Sequence, residues 1–306
     1  MTKTWTGPGL VLLFAISQAL RDVYFSGVFQ GVNLFAVILI AFSISIAVCG
    51  LRVGGRVPLL FHRIQAELPT FVWMNITTAI AWSCYFYGLK TLQPSIVNTL
   101  HSAIGPLTVV ALGVFGVFSI PRSTTNRPER ICYIGLGVSI AALWWVTLSG
   151  GSGIGVSDPG ADLLALALLL VSGTSITISL LLSKRMNDRG FDADALTVGR
   201  YPLIVIVAVI VLYSSDGPLG ITSSSQFAMI MLAAALLIAL PLYVLQVGIA
   251  NTAPLTGHVI RSLGPVFIFA FELVGQRIAY STPVLACIVV YSLFSVGANL
   301  SRGWRR

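Results

Sequence analysis

Charge is what this sequence has least of, and acidic charge least of all. Ten Asp and Glu residues stand beside eighteen Lys and Arg in 306 positions, so charged side chains make up 9% of the chain. That is too little to cover the surface of a soluble domain of this length. Four cysteines show no C-x-x-C pairing, and three histidines lack the second ligand at metal spacing, which argues against zinc or a disulfide framework. No GxxxxGK[ST] loop is present, so P-loop ATP drive is excluded, and no HExxH is present to support a membrane metalloprotease. No enzyme activity and no cofactor is expected.

What is there is apolar: 56% of residues are hydrophobic, and the mean hydropathy is +0.92. Such a composition predicts an all-α polytopic membrane protein. Spanning helices need about 20 mainly apolar residues, and ten segments qualify, centred on 8–28, 32–51, 68–89, 95–118, 131–148, 161–182, 195–213, 226–249, 253–275 and 281–299. With both termini on one side, thirteen of the eighteen basic residues fall on that side and only Lys90 and Arg277 on the other. The positive-inside rule makes the basic side cytoplasmic. Basic loops facing an anionic leaflet account for the net charge of +8 without nucleic acid. The start, MTKTWTGPG, has one lysine and no cleavage pattern, so the first span is expected to be retained. Most tryptophans, with Tyr85 and Tyr87, lie toward the expected helix ends, where interfacial anchors belong.

The sequence repeats itself. YGLKTLQP from Tyr87 matches VGIANTAP from Val247, and HSAIGP from His101 matches RSLGP from Arg261 with one residue deleted. This divides the chain into residues 1–150 and 151–306, two five-helix repeats of one membrane domain. Because five is odd, the second repeat enters the membrane from the opposite side, the inverted-repeat logic of secondary transporters whose substrate sits at the midplane. At about 1.5 Å per residue, Pro106 lies about 18 Å from Pro94 and Pro265 about 16 Å from Pro254, both near the bilayer centre. Gly105, Pro106, Gly264 and Pro265 are therefore the expected kink and gating positions. His101 and Arg261 then face one central cavity from opposite sides.

Arg261 is the strongest single signal, because an arginine deep in a span needs a partner or a wet cavity. Glu272 and Asp22 are the candidate partners for a structural ion pair; binding an anionic group is the functional reading. His101, His258, Asn98 and Tyr85 complete the expected substrate-binding set, His101 through its repeat position. Arg21 and Asp22 adjoin in span one, where neighbours point about 100° apart, so each is expected to find another partner or to snorkel. Arg200 is expected to snorkel to the inner surface. Small residues Gly135, Ser139, Ser292 and Gly297 of the fifth and tenth spans could pack helices or a homodimer.

Three blocks carry a family likeness: GLKTLQPSIVNTLHSAIGPLTVVALG from Gly88, APLTGHVIRSLGPVFIFAFELVGQRI from Ala253, and SKRM from Ser183. With the ten-span duplicated layout, the whole chain resembles the drug/metabolite transporter superfamily, and Pro106 and Pro265 are similar to the mid-helix prolines of its bacterial EamA-type members. A glutamate that the family often carries late in the ninth helix is Gln276 here. The sugar-phosphate/phosphate translocator branch is also similar, but its ninth-helix Lys-Arg pair falls on Ser262 and Leu263, so that phosphate clamp is incomplete. The resemblance implies transport of a small organic metabolite by alternating access in a bacterial cytoplasmic membrane, with both termini cytoplasmic. The expected cargo carries a carboxylate or phosphate; neutral or aromatic amino acids or drug-like solutes are the alternative.

Overall fold

A computed structural model describes residues 6–115, 127–152, 158–215, 219–250, 252, 254–275 and 280–303. Every regular element among them is helical. In chain order these are α1 (Thr6–Val28), α2 (Leu34–Val53), α3 (Val57–Ala66), α4 (Leu68–Thr91), α5 (Pro94–Val114), α6 (Arg127–Leu148) and α7 (Pro159–Asp188). There follow α8 (Ala193–Arg200), α9 (Pro202–Ser214), α10 (Ser224–Ala234), α11 (Leu240–Ala250), α12 (Pro254–Ser262), α13 (Gly264–Val274) and α14 (Thr282–Gly303). Each of the ten apolar segments coincides with one of these helices or a consecutive pair. Seven helical stretches are both long and apolar enough to cross a membrane, the pairs α8–α9 and α10–α11 each counting once. The chain is an all-helical membrane protein.

Its outer surface is greasy: Leu51, Trp145 and Val274 are more than three-quarters exposed. Its interior holds the polar groups, with Arg21, Asp22, Asn98, Arg200 and Glu272 all buried. That inversion suits a bundle whose solvent is hydrocarbon, where lone charges must turn inward. Trp82, Tyr85 and Phe86 belong to the interior too, which corrects their expected role as interfacial anchors. They stand mid-helix on the inner face of α4, and only Trp73 and Trp145 are largely exposed among the described tryptophans.

The main packing partners are α4 with α7, α6 with α14, α1 with α11 and α13, α5 with α7 and α13, and α2 with α9. Small residues set how close these approaches are. A Cβ on Gly173 of α7 would stand 2.8 Å from the His101 carbonyl oxygen, so α7 lies almost on the α5 backbone. At the α6–α14 seam a Cβ on Gly135 would stand 2.4 Å from the Phe294 ring, and one on Gly297 would stand 3.0 Å from Cys132 Sγ. Gly135 and Ser139 of α6 are buried, while buried Ser292 of α14 donates to the Ser262 carbonyl of α12. These small residues thus join helices of one chain.

The two repeat prolines behave differently. Pro106 stays inside the continuous helix α5. Pro265 follows a break: α12 ends at Ser262, Leu263 turns, and α13 restarts at Gly264. In either helix the proline removes the N–H that would return to the carbonyl four residues back, that of Ser102 or Arg261. The π-turn Ala235–Ala239 likewise interrupts the apolar stretch between α10 and α11.

Gly135→Ala is expected to overpack the α6–α14 seam and cost about 1–3 kcal/mol, lowering the unfolding temperature in detergent, and Phe294→Ala in the same chain is expected to recover part of it. An unchanged midpoint for Gly135→Ala would remove the claim that this contact sets the spacing.

Candidate functional site

The site is built around the first two turns of α5. Gln93 caps the helix and Pro94 starts it. Its free N–H groups are met from α13: Glu272 Oε1 accepts from the Ser95 backbone N–H at 2.8 Å, and Oε2 accepts from Gln93 Nε2 at 2.9 Å. A carboxylate placed at the positive end of a helix satisfies orphan donors and complements the dipole. Glu272 is therefore a helix cap that locks α13 to α5, and it leaves Arg261 without that partner.

One turn further along α5, Asn98 meets a second buried carboxylate. Asp22 Oδ1 accepts from Arg21 Nε at 2.8 Å and from a terminal Arg21 nitrogen at 2.7 Å. Asp22 Oδ2 accepts from the Tyr85 hydroxyl at 2.6 Å and from Asn98 Nδ2 at 3.2 Å. Arg21 and Asp22 are only 3% and 0% exposed, so the expectation that they snorkel or find separate partners is overturned. The 100° between neighbouring Cβ directions holds, but the long arginine stem folds back across it. In a medium where separated charges are costly, that nearest contact wins. The Arg21 guanidinium also lies 5.2 Å from the Trp82 ring centre and 5.5 Å from that of Tyr85, within cation–π range.

His101 stands one turn beyond Asn98. Its Nδ1 is 3.0 Å from Ser172 Oγ, its ring meets the Tyr85 ring edge-on at 4.6 Å, and Ser172 Oγ is 2.7 Å from the Ala81 carbonyl. A carbonyl only accepts, so the single hydroxyl proton of Ser172 goes to Ala81, and His101 Nδ1–H must donate to Ser172. In the neutral ring Nε2 is then an acceptor.

Arg261 stands in the last turn of α12 and is half-buried. It and Arg21 are both close enough to His101 to act on it electrostatically. Tyr291 of α14 is also close enough to act on Arg261 electrostatically. No described residue forms a hydrogen bond or ion pair with the Arg261 guanidinium, since Asp22 and Glu272 are each occupied as above. Gly264 lies against Asn98 and Gly105 against Thr177. Of the expected binding residues, His101, Asn98 and Tyr85 come together with Arg261 nearby; the His258 side chain, Asn251 and Gln276 lie outside the described residues.

Arg200 differs from its expected position as well. It is 6% exposed instead of snorkelling. Its Nε donates to Thr78 Oγ1 at 3.0 Å, and Thr78 bonds Ser179 at 2.6 Å. The guanidinium also lies 5.8 Å from the Tyr201 ring centre. It has no carboxylate among the described residues. Tyr201 packs at a tilt against Phe42, which meets Trp82 edge-on, so an aromatic wall stands between Arg200 and Arg21. Within that wall the Trp82 indole N–H is buried without a hydrogen-bond partner among the described residues.

No family model and no curated protein matches the chain. Nine chains of solved structures match. One of them, described only as "Crystal structure of protein", aligns over 98% of this chain and 97% of its own at a TM-score of 0.64 and 16% sequence identity. At that identity the likeness establishes a shared fold along the whole chain and says nothing of cargo.

Removing one member of the buried pair leaves the other charge stranded. Arg21→Ala is expected to cost about 3–5 kcal/mol by thermal or chemical unfolding in detergent, while the double variant Arg21→Met with Asp22→Leu recovers most of that loss. If Arg21→Ala leaves stability unchanged, Asp22 has another source of compensation and the pair is not structural.

Proposed function

We propose that the chain is a secondary transporter that exports or exchanges a small organic metabolite bearing a carboxylate or phosphate, built as ten spans in two inverted five-helix repeats. Arg261 is the observation that carries this reading. It is a guanidinium inside an apolar bundle, and the two carboxylates that the sequence offered it, Asp22 and Glu272, serve other partners, so the missing negative charge is assigned to the cargo. A planar, permanently charged fork suits an oxyanion. His101 Nε2, as an acceptor, suits a hydroxyl or ammonium on the same molecule, so the favoured cargo pairs an anionic group with a donor.

The packing pattern supports the inverted repeat. Exchanging α1 with α7, α2 with α8–α9, α4 with α10–α11, α5 with α12–α13 and α6 with α14 turns the α4–α7 contact into α11–α1, and α5–α7 into α13–α1. The α5–α6 contact becomes α12–α14. The contacts α2–α9, α5–α13 and α6–α14 map onto themselves, as contacts on a pseudo-two-fold axis must. Two matched helices, one continuous and one broken, suit the gate that alternating access needs. The proline-bearing blocks match the likeness to EamA-type drug/metabolite transporters, and the location follows as a bacterial cytoplasmic membrane with both termini inside.

The aromatic wall favours one alternative. Trp82, Phe42 and Tyr201, with the unpartnered indole N–H, suit a neutral or aromatic amino acid or a drug-like solute. Flux through reconstituted vesicles with amino acids, organic acids and phosphorylated sugars separates the two readings. For an oxyanion cargo Arg261→Ala abolishes flux while the protein stays monodisperse, and Arg261→Lys restores it in part. His101→Gln retains much of the flux, because its amide offers both a donor for Ser172 and an acceptor for cargo; His101→Ala does not. Full flux in Arg261→Ala overturns the anionic-cargo reading.

The topology is tested separately. In a cysteine-free background, single cysteines at Arg63, Arg127 and Arg189 are expected to resist an impermeant outside reagent in intact cells, while one at Asp158 reacts. Outside labelling at position 127 is incompatible with the inverted arrangement.

A further inference from the structure

A second basic site lies away from this cluster, at the end of the bundle where α3, α4 and α7 meet. A groove of about 620 Å³ opens there, floored and walled by Glu67, Thr70, Trp73, Ile178, Leu182, Arg185 and Arg189, among others. That volume falls within the range of small-molecule sites. Its α7 side is one helical stripe, because positions 178, 182, 185 and 189 are spaced by four, three and four. The stripe changes character along its length: Ile178 and Leu182 lie deeper in the bundle, Arg185 and Arg189 at its basic end. Trp73, 60% exposed, forms the facing wall from α4.

The charges do not cancel. Arg189 forms an ion pair with Glu67, and Glu67 also accepts a long hydrogen bond from Thr70 at 3.4 Å. Arg185 is exposed and has no ion pair or hydrogen bond among the described residues. Two guanidiniums and one carboxylate leave the groove one positive charge. A phosphodiester carries one negative charge. The helix C-terminus alone would explain basic residues there, but not an apolar furrow running from them into the bundle beside an exposed tryptophan.

The geometry points to a binding site for one anionic phospholipid, with its phosphodiester on Arg185 and Arg189 and the start of its acyl chains along Leu182, Ile178 and Trp73. The apolar floor favours a lipid over a free phosphate ion, which has nothing to gain from it. This site is independent of the proposed transport function, since it requires only that the bundle sits in a bilayer.

Native mass spectrometry of the full-length protein in detergent, titrated with phosphatidylglycerol or phosphatidylcholine, tests it. Wild type is expected to retain phosphatidylglycerol several-fold more than phosphatidylcholine. Arg185→Ala should weaken phosphatidylglycerol retention about fivefold, the scale of one basic residue near an anionic surface, and Arg185→Lys should keep most of it. Ala66→Trp, at an exposed position lining the groove, should weaken retention with every charge intact. Equal retention of the two lipids, unchanged retention in Arg185→Ala and Ala66→Trp, or displacement of phosphatidylglycerol by millimolar inorganic phosphate each overturns the proposal.

Discussion

The structure depends on how charge is neutralised inside an apolar bundle. Two buried carboxylates are satisfied in different ways: Asp22 by four donors from α1, α4 and α5, and Glu272 by the free end of α5 together with Gln93. Each therefore fastens helices as well as losing its charge. Asp22 ties α1 to the inner face of α4, and Glu272 ties α13 to the helix that carries Asn98 and His101. Arg261 and Arg200 have no carboxylate partner among the described residues, in a setting where an uncompensated arginine is expensive.

Close helix approach is the second constraint, and it works on the same residues. Gly173 lets α7 lie against the His101 backbone, which brings Ser172 to the imidazole and Ala81 to Ser172. A side chain there would push α7 away, and the hydrogen-bond chain that fixes the His101 tautomer would open. On the other repeat the backbone solves the problem differently. The break at Leu263 ends α12 one residue after Arg261, so the guanidinium is carried at a helix terminus rather than along a continuous rod.

Much of the helical layout was legible in the sequence because apolar length alone decides it. The ten apolar segments fall on helices, and the expected residues His101, Asn98 and Tyr85 do lie together, with Arg261 close enough to act on His101. The hidden parts are those where side-chain reach or tertiary context overrides a local rule. Arg21 and Asp22 pair as chain neighbours because the arginine stem bends back over one helical step, which Cβ directions do not reveal. Arg200 looked free to snorkel from a helix end, yet Thr78 and Tyr201 hold it inside. Trp82 and Tyr85 matched the composition of an interfacial belt and instead build the core. Glu272 looked like a partner for the basic residue on its own segment. Its actual partner is a helix terminus about 180 residues away in sequence, a pairing no periodicity encodes.

The repeat positions of His101 and Arg261 have diverged in a chemically specific way. Arginine can only donate and always carries charge; histidine bonded through Nδ1–H to Ser172 presents an acceptor when neutral. On the proposed duplication, the two matched positions thus have opposite hydrogen-bonding characters. A symmetric pair of cations would suit a doubly charged anion bound in either orientation. In the transporter proposed above, an unlike pair would instead distinguish the two ends of a cargo, the oxyanion toward Arg261 and the hydroxyl or ammonium toward His101. Such a cargo would have one preferred orientation, so on this proposal the two halves need not contribute equally to recognition.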